Sequence, residues 1–330
     1  AFMNMLRDED NANYRSVIKN TLEFDPQVLK RYVNFMNNPD ERTAVDQFGK
    51  GDKYFGVCTL MATLPGLPMF GHGQVEGFAE KYGMEFRRAS RHEDPDHDLV
   101  ARHEREIFPL LHRRHLFAEA PEFRLYDLFT DGGNVNEDIF AYSNRSGDER
   151  ALVVYHNRYA STSGWLRESS AFAVKNGDAK ELRRSTLAAS LGLGPDSDLY
   201  CVMRDLRSGL EFVRGSQELH DRGLHVELGA YGCRVFLDFR EVRSTESEPW
   251  AEVARRLGGA GTPSTASILR DVRLEPIARA LAALMDRGLL ESLFQPPPAV
   301  ASVSKRELPQ VQEAVRRFST LLDAARHEAG

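Results

Sequence analysis

Cysteine is scarce in this 330-residue chain: Cys58, Cys201 and Cys233 are odd in number and far apart. Such usage excludes a disulfide framework and a zinc site of paired cysteines. It fits a reducing compartment, so a cytoplasmic location is expected. No apolar run reaches the length of a membrane-spanning helix. Positive charge is not in excess: the net charge is −6, which argues against a nucleic-acid or anionic-membrane partner. No phosphate loop is present. Gly71-x-Gly73-x-x-x-Gly77 lacks the Lys-Ser/Thr ending and the dinucleotide spacing, and its glycines are read as permitting tight backbone paths. The run at 103–106 is His-Glu-Arg-Glu and lacks the second histidine of a zinc-protease motif. His92, His97, His103, His112 and His115 offer no other ligand pattern, so neither a metal nor a cofactor is expected. Asn144-Arg145-Ser146 has the form of a glycosylation sequon and is read as a chance match. The chain begins Ala1-Phe2-Met3, already hydrophobic and without an initiator Met or signal peptide, so a piece of a longer protein is expected.

What is there describes a globular protein, 42% hydrophobic and 28% charged. Residues 1–31 read as helical, with Tyr14, Ile18 and Leu22 on one stripe beside Val17. Asp25-Pro26 reads as an N-cap with Pro in the first helical position. A strand is expected at 32–37. A helix over 51–64 follows, with Tyr54, Val57, Cys58 and Met61 on one side, stopped by Pro65-Gly66. A second strand falls at 67–70, then a polar loop over 75–97. Residues 98–117 return to helical spacing, with a kink expected at Pro109.

At Glu122 the period changes. Short β-rich runs occupy 123–129, 138–143, 151–156, 199–203, 210–213, 224–228 and 233–239, with a polar insertion over 157–198. Leu224, Val226 and Leu228 alternate strictly, as do Cys233, Val235, Leu237 and Phe239, which indicates sheets with a dry face. About seven such strands make an antiparallel β-sandwich. After Arg240 a polar linker leads to helices at 250–258, 274–293 and 308–327.

The organising stretch is Tyr32 to Arg42, YVNFMNNPDER: a strand that breaks into a polar cluster. A carboxylate after a parallel strand is where a (β/α) barrel keeps its catalytic groups. On residues alone Asp40 is either such a group or a turn former, because Asn-Pro-Asp is a turn sequence. Asn38 either organises a site or satisfies loop backbone groups. Glu41 and Arg42 form an ion pair or reach a ligand. His72 and Gln74, after the second strand, either bind substrate or tie loops.

This stretch resembles the motif Phe-x-x-Asn-His-Asp of the alpha-amylase superfamily of glycoside hydrolases, with Asn38, Asp40 and Glu41 in place of its Asn, Asp and frequent following Glu. The likeness continues in Leu64-Pro65-Gly66-Leu67-Pro68-Met69-Phe70-Gly71-His72-Gly73-Gln74, similar to a helix ending in Leu-Pro-Gly before Pro-x-x-x-x-Gly-Gln-Glu. It spans about residues 1–240. The resemblance implies the last strands and helices of a (β/α)8 TIM barrel over 1–117, a C-terminal β-sandwich over 118–240, and a helical tail over 241–330 that matches no part of the family. The tail is a candidate for oligomerisation. The resemblance further implies an α-glucan or oligosaccharide substrate, with Asp40 as the transition-state-stabilising carboxylate and Asn38, Arg42, His72 and Gln74 as substrate-binding candidates. The nucleophile and acid/base would precede Ala1, leaving this chain inactive alone. Pro39 stands where the family has a sugar-binding His and cannot donate that hydrogen bond. Hydrolysis and transglycosylation are not separated by these residues, and a non-catalytic scaffold or carbohydrate-binding relative is the rival reading.

Overall fold

The Tyr14–Ile18–Leu22 stripe forms the buried side of a helix, as its spacing requires. In the computed structural model, which describes residues 2–81, 88–176, 179–295 and 308–329, the N-terminal stretch becomes α1 (Phe2–Asp8), α2 (Asn11–Phe24) and a 3-10 turn (Pro26–Arg31). Asp25 caps that turn, its side chain accepting from Gln27 N at 3.0 Å. There follow β1 (Val33–Phe35), α3 (Ala44–Phe48), α4 (Asp52–Thr63) and β2 (Leu67–Met69). β1 and β2 pair in parallel, Val33 opposite Leu67 and Phe35 opposite Met69. The expected helix over 98–117 is three pieces: α5 (His97–Glu106), α6 (Phe108–His112) and α7 (Arg114–Phe117). Pro109 opens the middle piece, where its missing N–H costs no helical bond.

Contacts divide the chain into two units, Ala1–Val242 and Arg243–Gly330. In the first, one antiparallel sheet dominates. Its strands are β3 (Arg124–Phe129), β4 (Ile139–Ser146), β5 (Glu149–His156), β6 (Thr162–Ser169), β9 (Leu199–Asp205), β10 (Glu211–Gly215), β11 (Leu224–Leu228) and β12 (Cys233–Arg243). A hairpin, β7 (Phe172–Asn176) and β8 (Ala179–Arg183), stands apart, and short helices α8 (Leu187–Ser190) and α9 (Ser216–Asp221) fill connections.

The sheet order is β10-β9-β12-β5-β4-β3-β6-β11. Two separate sheets are expected of a sandwich; the strands instead share one continuous ladder. Its two outermost strands nonetheless feed one core, because Phe212 of β10 and Val226 of β11 belong to the same buried cluster. The sheet therefore curls over its own core. The sequence reading also treats 157–198 as a polar insertion, yet β6 lies there and bridges β3 to β11. Its apolar signal is thin because only Gly164, Leu166 and Ser169 of the strand are buried.

Side chains on β4 and β5 alternate between two cores. Phe140, Tyr142, Val153 and Tyr155 face the helices, while Ile139, Ala141, Leu152 and Val154 face the inside of the curl. α4 lies on the helical side, and every residue from Tyr54 to Thr63 is buried. A Cβ at Gly56 would come within 1.9 Å of the Tyr155 ring, so this position must be glycine for α4 to seat there. Thr63 Oγ1 lies 2.5 Å from the Tyr142 hydroxyl.

The second unit holds α10 (Trp250–Leu257), α11 (Thr265–Leu284), α12 (Arg287–Phe294) and α13 (Pro309–Ala329). The single helix expected over 274–293 is two, broken where Asp286 caps α12 by accepting from Leu289 N at 2.9 Å. Among the described residues no helix is long and apolar enough to cross a membrane.

Candidate active-site cleft at the ends of the parallel strands

Because β1 and β2 are parallel, the segments that follow them leave from the same end. There they border a small cleft. One wall is Asn37, Asn38, Pro39, Glu41 and Thr43; the other is His72, Glu80 and Lys81.

The first wall is a turn built by Asn38. Its Oδ1 accepts from Asp40 N and Glu41 N, both at 2.9 Å, so the side chain satisfies loop backbone. The reading of Asn38 as a backbone partner is therefore realised, and its effect is to set the path of Asp40. Asp40 is exposed, and its carboxylate makes no ion pair among the described residues; its carbonyl accepts from Lys81 Nζ at 2.6 Å. Arg42 is not paired with Glu41. Its Nη1 lies 3.4 Å from Asp46 one turn on, with both side chains more than half exposed. Such a pair is worth little.

His72 is exposed beside the cleft, its ring 6.3 Å from that of Phe78. Gln74 is buried and lies outside the cleft lining. Its Oε1 accepts from Gly71 N at 3.0 Å, and its Nε2 lies 3.3 Å from Met36 Sδ. It staples the second loop to the first. The turn needs glycine at 71, where a Cβ would meet the Asn37 amide at 2.3 Å.

Sequence reasoning passed over three residues that hold this geometry. Gln47, buried on α3, donates to Met36 O at 3.1 Å and Arg42 O at 2.7 Å, pinning both ends of the polar turn. Thr43 caps α3 through Asp46 N at 3.4 Å; the Thr-Ala-Val-Asp run was the legible signal. Asn37 is buried with Oδ1 unpartnered.

The histidines weighed as ligands are dispersed. His103 is fully buried, with Nδ1 3.0 Å from Leu99 O and Nε2 3.2 Å from the Tyr54 hydroxyl, and burial holds its pKa below the ordinary histidine value. His92 is exposed against Asp94. No cluster of three or more His, Cys, Asp or Glu fit to hold a metal occurs among the described residues. Asn144 of the sequon is buried, its amide donating to Glu119 O at 2.8 Å.

The sequence matches no family model and no curated protein. Solved enzymes of the alpha-amylase superfamily are similar in structure over 62–72% of this chain. An alpha-amylase from Geobacillus thermoleovorans complexed with acarbose is 13% identical, with 62% of this chain and 38% of that one covered, at a TM-score of 0.40. For a maltogenic alpha-amylase from Thermotoga neapolitana the values are 13%, 71%, 47% and 0.44. For a cyclomaltodextrin glucanotransferase with a three-domain arrangement they are 12%, 72%, 43% and 0.43. The chain spans less than half the length of each of these proteins.

Proposed function

We propose that this chain is the C-terminal portion of a retaining glycoside hydrolase of the alpha-amylase superfamily, acting on α-linked glucans or oligosaccharides. In this reading 1–117 is the end of a (β/α)8 barrel, 118–240 its C-terminal β domain, and 241–330 an added helical tail. One observation carries it: Asp40 follows a parallel strand, on a turn organised by Asn38, at the strand end where His72 also emerges. That is the end of a barrel at which catalytic groups collect.

Double displacement needs a nucleophile and an acid/base about 5–5.5 Å apart. Asp40 is neither; both come from the part of the enzyme that precedes this chain. Asp40 grips hydroxyls of the distorted sugar and stabilises the positive charge that develops on the ring. Asn38 positions it, His72 and Arg42 supply donors at the rim, and Gln74 acts indirectly by holding the second loop. Pro39 removes a donor and alters sugar selectivity at that subsite. The reaction needs no cofactor. Water as acceptor gives hydrolysis, and a sugar hydroxyl gives transglycosylation.

The test is Asp40→Asn in the full-length protein with a soluble α-glucan. Loss of a charge aimed at the transition state should lower kcat by about 10²–10³. Turnover near that of the wild type would remove Asp40 from the mechanism, and glucan cleavage by residues 1–330 alone would overturn the assignment of the reacting carboxylates to an earlier segment. Pro39 favours a second reading, a carbohydrate-binding relative without catalysis. An upstream sequence lacking an Asp and a Glu after two earlier strands would select it.

A further inference from the structure

The polar side chains that build the two loops after β1 and β2 are spoken for, with one exception. Asn34 Nδ2 donates to Pro65 O at 2.9 Å. Asn38 Oδ1 accepts from two backbone N–H groups, Gln47 holds both ends of the first loop, and Gln74 Oε1 accepts from Gly71 N. Thr43 Oγ1 caps α3, and Lys81 Nζ donates to Asp40 O. The exception is Asn37, which is buried and whose Oδ1 has no partner among the described residues. A buried amide oxygen without a hydrogen bond destabilises the fold, so its place there calls for a reason beyond folding. The fold also holds this amide firmly. Gly71 packs flat against it, and a Cβ at 71 would come within 2.3 Å of Oδ1, 2.4 Å of Nδ2 and 2.5 Å of Cγ. The residue so clamped borders the cleft, beside Pro39 and across from His72.

We propose that Asn37 is a specificity-determining residue of this cleft, its side-chain amide hydrogen-bonding a hydroxyl of the bound sugar. The inference rests on the α-glucan reading given above and names a contact within it. An amide offers both a donor and an acceptor, and so does a hydroxyl. Glu41 and Glu80 border the same cleft and disfavour an anion there. Turning the amide about its terminal torsion breaks no bond to Oδ1, so either end can be presented to the ligand. Pro39 has no N–H and no polar side chain, which leaves the hydrogen bond at this part of the wall to Asn37. A residue that costs the unliganded fold stability and returns it on binding is what a functional site tolerates.

The experiment pairs kinetics with melting for Asn37→Leu, close to Asn in shape but apolar, and Asn37→Ala, which cannot crowd Gly71. Both are made in the full-length protein, with maltotriose as the probe. Each variant should raise KM about five- to tenfold, the worth of one neutral hydrogen bond, with a smaller change in kcat. The unliganded Leu variant should melt at or above the wild-type temperature, since the atom it removes holds no bond. A folded variant with wild-type KM overturns the proposal. So does a fall in melting temperature at unchanged KM, which would mean that water or the loops themselves satisfy the amide. Failure of both variants to fold overturns it too, because the amide would then be holding the turn. Asp40→Asn separates this result from the parent reading. If that variant keeps its turnover, the glycosidase reading falls; if it loses turnover while the Asn37 variants keep wild-type KM, only the role of Asn37 falls.

Discussion

β1 and β2 pair with each other over three residues and with no other strand among the described residues, whereas β3 to β6 and β9 to β12 form a ladder of eight that curls until its ends share a core. Both sheets carry apolar side chains, but they use them differently. On the ladder, alternate residues fill two cores and almost nothing large is left outside. On the short pair, Val33 and Leu67 are exposed, and the strand edges lack ladder partners. Stability in this unit therefore belongs to the curled sheet and to α4 lying on it. The candidate site belongs to the weaker pair and is steadied from behind by α4, Gln47 and Gln74. A site on the less stable element is common, since loops that bind must be free to adjust.

The strongest way to break this contrast is at the contact between α4 and the ladder. Gly56→Ala puts a methyl into the Tyr155 ring. Overpacking of this kind costs about 1–3 kcal/mol, and Tyr155 is fully buried with little room to yield. The urea midpoint should fall, with ladder and cleft lost in one transition. If α4 were not the link, the cleft would melt first, with ladder circular dichroism unchanged; two separated transitions would refute the coupling.

Acid should sharpen the same contrast with a smaller effect. His103 lies on the α4 side and His156 at the end of β5, and burial depresses the pKa of both below the ordinary 6.5. The folded state resists protonation, so below pH 6.5 the unfolded chain binds more protons. Their stabilising contribution is complete above 6.5 and is lost as pH falls toward the depressed folded values. Carboxylates such as Asp25 beside Lys175 and Asp96 beside Lys50 are pulled below the usual range and titrate lower still. Urea midpoints should therefore drop between pH 7.5 and 5.5, and His103→Gln should flatten part of that slope. An unchanged slope would show that His103 takes up its proton without cost.

Much of this was legible in the chain. The Tyr14–Ile18–Leu22 stripe, the Asp25 cap and the alternation from Leu224 to Leu228 rest on local spacing, and local spacing survives folding. β6 was missed because a strand passing over glycine and serine carries little apolar signal, although its pairing spans the whole strand. The single curled sheet was read as two because curvature depends on which strands share a core, and no periodicity records that. Asn38, which lines the cleft, and Asp40, which stands beside the lining, are legible in the sequence as a turn with a carboxylate. Gln47 is not, since its role is to reach back to the carbonyls of Met36 and Arg42, a distance in sequence that no motif encodes. The partner of Arg42 was misjudged for a related reason: α3 begins at Ala44 and brings Asp46, not Glu41, onto its side.

The mildest prediction addresses how far the site depends on its own turn. Asn38 Oδ1 serves the N–H groups of Asp40 and Glu41, both near solvent, so water can replace it at little cost. Asn38→Ala should lower stability by no more than about 0.5–1 kcal/mol, the low end for a neutral hydrogen bond. On the proposed function, its effect on turnover in the full-length protein should be larger than its effect on melting. A freed turn lets Asp40 sample other positions, and a tenfold loss of kcat needs only about 1.4 kcal/mol of lost alignment. Asn38→Asp keeps the acceptor and should recover most of the loss, whereas a role in binding sugar through the amide N–H would leave Asp as poor as Ala. Measuring kcat for the two variants beside Asp40→Asn thus separates a residue that shapes the turn from one that touches substrate.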